Sequence, residues 1–280
     1  MNDVDTLKLD GGQVVTLNRF SDLRARYKGP LFIVASGPSV GDFPMQRYRS
    51  VPMMAVNGSI VRFSDEGVRP ILYLCDDRGV AERKHQAVSL GVEVSQYAAL
   101  SCTVFGAIAK TQPQALKSQN LLLLERANRL SRAKQVSDRR FAWSIRNDPT
   151  YEVEWSLFHQ KKNRIGFSRD MSCGYFNART IAYAALQAAY HMGFEQVFLV
   201  GVDMSPQLGQ FYDPKGEVVP SRLGDDYEDY ILPSFELMSR KVVSPRFTVY
   251  NLSAQSRIPE KIIPKLSYTQ LDVWLERWNQ

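Results

Sequence analysis

The sequence predicts an α/β protein, with a mostly parallel sheet flanked by helices and a basic segment inserted in its middle. Short apolar runs bounded by Gly, Pro, Asn or Asp alternate with longer helical stretches. The runs are apolar throughout, as strands covered on both faces require. Several end in a cluster of small or polar residues, where an open parallel sheet binds its ligands.

The first predicted strand covers residues 30–35 (PLFIVA) and runs into Ser36-Gly37-Pro38-Ser39. The second, 52–56 (PMMAV), ends at Asn57-Gly58-Ser59, and the third, 70–74 (PILYL), at Cys75-Asp76-Asp77. After a further apolar run at 121–124 the texture changes. Residues 113–166 are basic and rich in aromatics (Phe141, Trp143, Tyr151, Trp155, Phe158) and read as an insertion or lid. A helix is expected over 177–192, with Ile181, Ala184, Ala185, Ala188 and Ala189 on one face and Gly193 as its C-cap. Residues 196–202 (QVFLVGV) form a central strand ending at Asp203. Residues 247–252 (FTVYNL) form a late strand ending at Ser253, and an amphipathic helix over 268–278 closes the chain. One domain is expected over 1–280. Its core is 29–116 and 169–265, its basic insertion 117–168 and its closing helix 266–280.

A chain of 280 residues, 44% hydrophobic and 23% charged, is neither disordered, fibrous nor a disulfide scaffold. No apolar run approaches the roughly 20 residues that cross a bilayer. The acidic, polar start MNDVDTLKLDGG carries no secretory pattern, and Cys75, Cys102 and Cys173 lack metal-ligand spacing. A cytoplasmic location is expected. The net charge of +6 is concentrated in one segment. Residues 117–169 hold 12 Lys and Arg against 5 Asp and Glu, while the rest of the chain holds 23 against 24. Such a segment is either a solvated face or a docking surface for an anionic partner: a glycolipid, membrane headgroups or nucleic acid.

The turn after the first strand reads equally as an ordinary tight turn or as a phosphate cradle, in which Gly37 permits close backbone approach and Ser39 can cap a following helix. It matches neither the Walker A loop nor the dinucleotide G-x-G-x-x-G pattern. Asn57-Gly58, taken alone, reads more as an ordinary turn than as a base-reading amide. Asp76-Asp77 is adjacent rather than alternating, so it gives no metal site, though Mg²⁺ stays open.

Taken in order, ASGPS, AVNGS, GFEQVFLVGVDM and VYNLSAQS resemble the bacterial family 42 sialyltransferases. They also resemble the wider group of lipopolysaccharide-core Kdo transferases and proteins related to the archaeal pterin diphosphokinase. The likeness covers about 29–110 and 169–265. It implies a Rossmann-like, GT-A-like sheet using a CMP-activated ulosonic sugar, with no tightly bound cofactor. It places Ala35, Ser36, Gly37 and Ser39 along the CMP phosphate and ribose, and Asn57 on the nucleotide beside Gly58. Asp76 falls where the family has an Asn after its third strand. Arg169 with Cys173-Gly174 resembles the element facing the donor sugar, Asp203 matches the ribose or cytosine Asp, and Tyr212 lies near a tyrosine that stabilises the departing phosphate. The likeness also implies an anionic glycolipid acceptor, with nucleic acid disfavoured, and a homo-oligomer. Residues 117–169 would contact the inner membrane.

Transfer from such a donor needs the leaving phosphate stabilised and a base for the acceptor hydroxyl. The sialyltransferases use a histidine after the Asp203-type strand, and this chain has none after His191. That departure leans towards the Kdo transferases and leaves Asp225, Asp226 or His159 as the base. An ATP- and Mg²⁺-dependent pterin diphosphokinase-like enzyme and a non-enzymatic nucleotide or nucleic-acid binder remain the alternatives.

Overall fold

A computed structural model of the chain describes residues 5–10, 12–204 and 226–278. An N-terminal antiparallel hairpin, β1 (Asp5–Lys8) and β2 (Val14–Leu17), precedes the main sheet. The first strands of that sheet are β3 (Pro30–Val34), β4 (Met53–Val56), β5 (Leu72–Cys75), β6 (Tyr97–Leu100) and β7 (Leu121–Leu123). A side hairpin of β8 (Tyr151–Val153) and β9 (Gly166–Ser168) follows, and then β10 (Gln196–Val200) and β11 (Thr248–Asn251). The main sheet has seven strands in the order β11-β10-β3-β4-β5-β6-β7. Every pairing is parallel.

The chain walks from β3 outward to β7 and then returns to the opposite side of β3 as β10. The order therefore reverses between β3 and β10, which opens a crevice outside their carboxyl ends.

Successive β3 side chains point to opposite faces. Leu31 and Ile33 join one buried cluster with the helix Ile181–Met192, and Phe32 and Val34 join the other. The closing helix Tyr268–Trp278 seals that second face through Leu271 and Leu275, with Trp274 edge-on to Phe198 at 5.3 Å. Gly193 ends the helix Ile181–Met192 at φ +94°, and a Cβ there would lie 2.6 Å from the Tyr27 carbonyl.

The expected strands stand, with some ends shifted. The strand expected over 196–202 stops at Val200, because Gly201 turns the chain at φ +69°. The helix expected from 177 begins at Ile181, because Arg179 adopts φ +62° and Thr180 is extended. Strand β6 (YAAL) is not among the expected strands, since half of it is alanine. The basic segment holds the helix Asp138–Ile145 and the β8–β9 hairpin. Among the described residues no helix is long and apolar enough to cross a membrane.

Candidate functional site

Two strand ends meet at one carboxylate, and a third reaches it through Ser39. Asp203 follows β10 and is buried, 3% exposed. The Ser39 backbone N–H donates to Asp203 Oδ2 at 2.9 Å, and the Ser39 hydroxyl donates to Oδ1 at 2.6 Å. The Ser253 hydroxyl, beyond β11, lies 2.8 Å from the Ser39 hydroxyl. Gly37 N–H donates to the Gly201 carbonyl at 2.9 Å, which lays the turn after β3 directly on the end of β10. A Cβ on Gly37 would sit 2.4 Å from both Asp203 Oδ2 and the Gly201 oxygen, so only glycine fits. Ala35 and Ser36 precede it, and the turn from Ala35 to Ser39 is half-buried.

Ser39 does not play the helix-capping role expected of it. Ser39 lies inside the short 3₁₀ turn Pro38–Asp42, whose N-cap is Gly37, and both its donors go to Asp203 rather than to a helix end.

Asn57, at the end of β4, holds a left-handed backbone at φ +48°. Strain of this kind concentrates at functional positions. Its turn is pinned by the Ser59 hydroxyl, which accepts from Val56 N–H at 3.0 Å and donates to the Val34 carbonyl at 2.7 Å. Gly58 beside it is buried, and the buried Asn57 Oδ1 has no hydrogen-bond partner.

Asp76, at the end of β5, accepts from Arg126 Nη2 at 2.8 Å and from the Tyr175 hydroxyl on the same oxygen. Burial works against the Arg126 charge, but Asp76 and Tyr175 together hold its pKa above the ordinary value. Burial, reinforced by Asp76, pushes the Tyr175 phenol well up, so it stays a donor. Asp77 is engaged otherwise, accepting from Val80 N–H at 3.2 Å as the cap of the helix Arg78–Arg83. Gly174, at φ +82°, lets Tyr175 bridge to the chain after β7; a Cβ there would lie 2.7 Å from Ala127 N. Cys173 sits beside it, and its carbonyl accepts the Tyr151 hydroxyl at 3.2 Å.

A π-helical turn, Tyr227–Ile231, reaches Asp203 through Arg257 on one side and meets Arg179 on the other. The Tyr227 hydroxyl donates to the Arg257 carbonyl at 2.6 Å, and the Arg257 guanidinium lies 3.9 Å from the Tyr227 ring centre. Arg257 N–H donates in turn to the Asp203 carbonyl at 3.0 Å. Asp226, which opens the turn, lies 3.8 Å from Arg179.

Two expected residues are not brought to the strand carboxyl ends. Arg169 donates to Tyr190 at 2.7 Å, to Glu152 at 2.8 Å and to the Lys241 carbonyl at 3.2 Å. Tyr190 and Lys241 stand near the C-termini of helices leading into β10 and β11, so Arg169 lies at the amino ends of the strands. A cavity of about 530 Å³ lies there, lined by Glu152, Glu154, Arg240 and Lys241 among others. Despite its size it is remote from the crevice, and its Arg240 and Glu154 pair with each other. His159 is on an exposed turn, with Nδ1 3.3 Å from the Ser156 hydroxyl. Tyr212 and Asp225 lie outside the described residues.

Sequence reasoning passed over Arg126, Tyr175, Tyr227 and Arg257 as site residues. Arg126 stands three positions beyond β7 and Arg257 four beyond Ser253, so the strand-end rule could have found both. Among the described residues no three His, Cys, Asp or Glu side chains gather as metal ligands.

Residues 15–269 match the family described as 3-deoxy-D-manno-octulosonic acid transferase WaaZ. The chain is 30% identical over 241 residues to a probable 3-deoxy-manno-octulosonic acid transferase of Salmonella typhimurium, covering 86% of this chain and 87% of that protein. A protein of the same description from Escherichia coli is 28% identical over 235 residues, covering 84% and 81%. Among solved structures, the MAf glycosyltransferase of Magnetospirillum magneticum AMB-1 shares the fold at TM-score 0.50 and 18% identity. The match spans 91% of this chain but only 36% of that one. The sialyltransferase CstII of Campylobacter jejuni is a weaker likeness, at TM-score 0.42 and 12% identity over 86% of this chain and 87% of that one.

Proposed function

Because the chain belongs to the 3-deoxy-D-manno-octulosonic acid transferase WaaZ family, we propose that it transfers a CMP-activated ulosonic acid to lipopolysaccharide core or a related glycolipid. CMP-3-deoxy-D-manno-octulosonate (CMP-Kdo) is favoured over CMP-sialic acid as the donor. The observation that carries this reading is the buried Asp203, bonded to Ser39 in the crevice where strand order reverses.

In this account one domain holds the donor across the ends of β3, β4 and β10. The Ala35–Ser39 turn lies along the phosphate and ribose, and Asp203 fixes that turn. The unpartnered Asn57 Oδ1 suits the exocyclic amine of cytosine, a hydrogen-bond donor. The bond from the phosphate oxygen to the sugar's anomeric carbon breaks and its electron pair leaves with CMP. Arg257, stacked on Tyr227 beside Asp203, balances that charge. The acceptor hydroxyl forms the new bond and gives its proton to Asp226. Arg169 acts at a distance, by fastening the β8–β9 hairpin.

The acceptor is an anionic glycolipid, reached from the cytoplasmic face of the membrane by peripheral contact. The basic segment exposes Trp143 (52%), Trp155 (41%), Leu157 (51%) and Phe158 (85%). Aromatic side chains beside cations suit a headgroup interface, where each Lys or Arg contributes about 1 kcal/mol.

The test is release of CMP from CMP-Kdo by the purified chain with a lipopolysaccharide-core acceptor. Acceptor-dependent release that fails in Arg257→Gln supports the reading. Absence of release with every CMP-sugar offered contradicts it.

A further inference from the structure

We propose that a cleft beside the end of β7 binds the anionic group, carboxylate or phosphate, of the acceptor sugar. This inference rests on the transfer reading above. The cleft has a volume of about 170 Å³ and is lined by Arg126, Arg129, Arg164 and Arg179, with Phe141 and Phe176. At about 30 Å³ per water it holds the equivalent of roughly half a dozen waters, space for an anionic group and part of its ring.

The site is built rather than incidental. Asp138, whose side chain is 14% exposed, accepts from Arg129 at 3.3 Å and from Arg164 at 2.6 Å, fixing both forks from the first turn of the helix Asp138–Ile145. Arg126 is oriented by Asp76 at 2.8 Å, and Arg179 lies 3.8 Å from Asp226. Four guanidinium groups thus meet three carboxylates, Asp76, Asp138 and Asp226, so the cleft keeps a positive excess. Guanidinium forks match planar carboxylate and tetrahedral phosphate groups with paired hydrogen bonds. Phe141 and Phe176, with ring centres 6.2 Å apart, offer an apolar wall to the C–H face of a sugar.

Its position suits the acceptor rather than the donor. Asp76 stands at the end of β5, two strands from β3, or about 10 Å at ~4.8 Å per strand. The Tyr227–Ile231 turn links the two regions, since Tyr227 touches Arg257 beside Asp203 and Tyr230 lies under Arg179, 5.4 Å from its guanidinium. A sugar anchored in the cleft would present a neighbouring hydroxyl towards Asp226.

The test is calorimetric titration of the whole chain, without nucleotide, with free 3-deoxy-octulosonic acid, mannose 6-phosphate and mannose. Binding of the sugar acid assigns the cleft to a carboxylate and binding of the sugar phosphate to a phosphate; mannose is expected not to bind. Arg164→Gln and Arg179→Gln are each expected to weaken anionic binding at least tenfold while CMP affinity stays unchanged. Arg179→Lys should retain part of the affinity, which separates loss of the fork from loss of the fold. Equal binding of mannose, no binding of either anionic sugar at millimolar concentration, or unaltered binding by the Gln variants overturns the proposal. Failure of the transfer reading looks different: CMP does not bind while the anionic sugar still does.

Discussion

The Ser39 hydroxyl lies 2.6 Å from Asp203 Oδ1 and 2.8 Å from the Ser253 hydroxyl, so one side chain ties together the ends of β3, β10 and β11. Asp203→Asn replaces one acceptor oxygen by an amide that faces a donor. The charge-assisted bond lost is worth about 1.5–3 kcal/mol. Urea unfolding should register a destabilisation of that order, and CMP binding should weaken at least tenfold. Ser39→Ala should do the same to a smaller degree, and wild-type CMP affinity in both variants would remove Asp203 from the site.

Gly37 gives a sharper steric test. A Cβ there meets Asp203 Oδ2 and the Gly201 carbonyl at 2.4 Å, whereas one on Gly41 meets nothing within 4 Å. Gly37→Ala should therefore cost about 1–3 kcal/mol, as overpacking does, and displace the turn. Gly41→Ala should leave thermal stability and nucleotide affinity near wild type. Equal effects of the two substitutions would show that the close approach does not matter.

His191 sets a pH dependence. Its Nδ1 accepts the Met171 N–H at 3.3 Å and its Nε2–H donates to the Phe20 carbonyl at 2.7 Å, which fits the neutral ring. Burial holds its pKa below 6.5, and Arg24 adds to this; the Phe20 carbonyl and Asp170, 3.4 Å away, oppose it. The unfolded chain thus binds the proton more readily than the folded one. The contribution to stability is complete above about pH 7 and falls as pH drops through the unfolded value of about 6.5 towards the lowered folded one. Urea midpoints taken from about pH 7 to pH 5 should decline, and His191→Gln should remove part of the slope. Identical slopes would assign the decline to other groups.

Membrane contact is read from vesicle co-sedimentation. Vesicles containing anionic phospholipid should retain the chain at low salt and release it as salt rises, because the cationic attraction is screened. Replacing Trp155 and Phe158 together by Ser should weaken binding at every salt concentration. Neutral vesicles binding as well as anionic ones would contradict a charge-directed surface.

Much of the candidate site is legible in the sequence, because β3, β4, β5, β10 and β11 are apolar runs followed by Ser36–Ser39, Asn57, Asp76, Asp203 and Ser253. What sequence could not convey was partnership across the fold. Arg169 and Asp203 look alike as isolated charged residues. Only the packing shows Asp203 under Ser39 and Arg169 bound to Tyr190 and Glu152 at the other end of the sheet. The basic segment hid its order for a related reason. Its β8 and β9 are three residues each, and Arg126 finds its partner Asp76 fifty positions away.

The proposed function turns on a CMP site between β3 and β10. Its most direct measurement is thermal unfolding of the chain with CMP, UDP, GDP and ATP, each with and without Mg²⁺. Ligand at 100 times its Kd adds about 2.7 kcal/mol to stability, a readily visible rise in midpoint. A rise with CMP and none of the other nucleotides, independent of Mg²⁺ and absent in Asp203→Asn, is expected. A rise confined to ATP with Mg²⁺, or a CMP-dependent rise undiminished in Asp203→Asn, would contradict it.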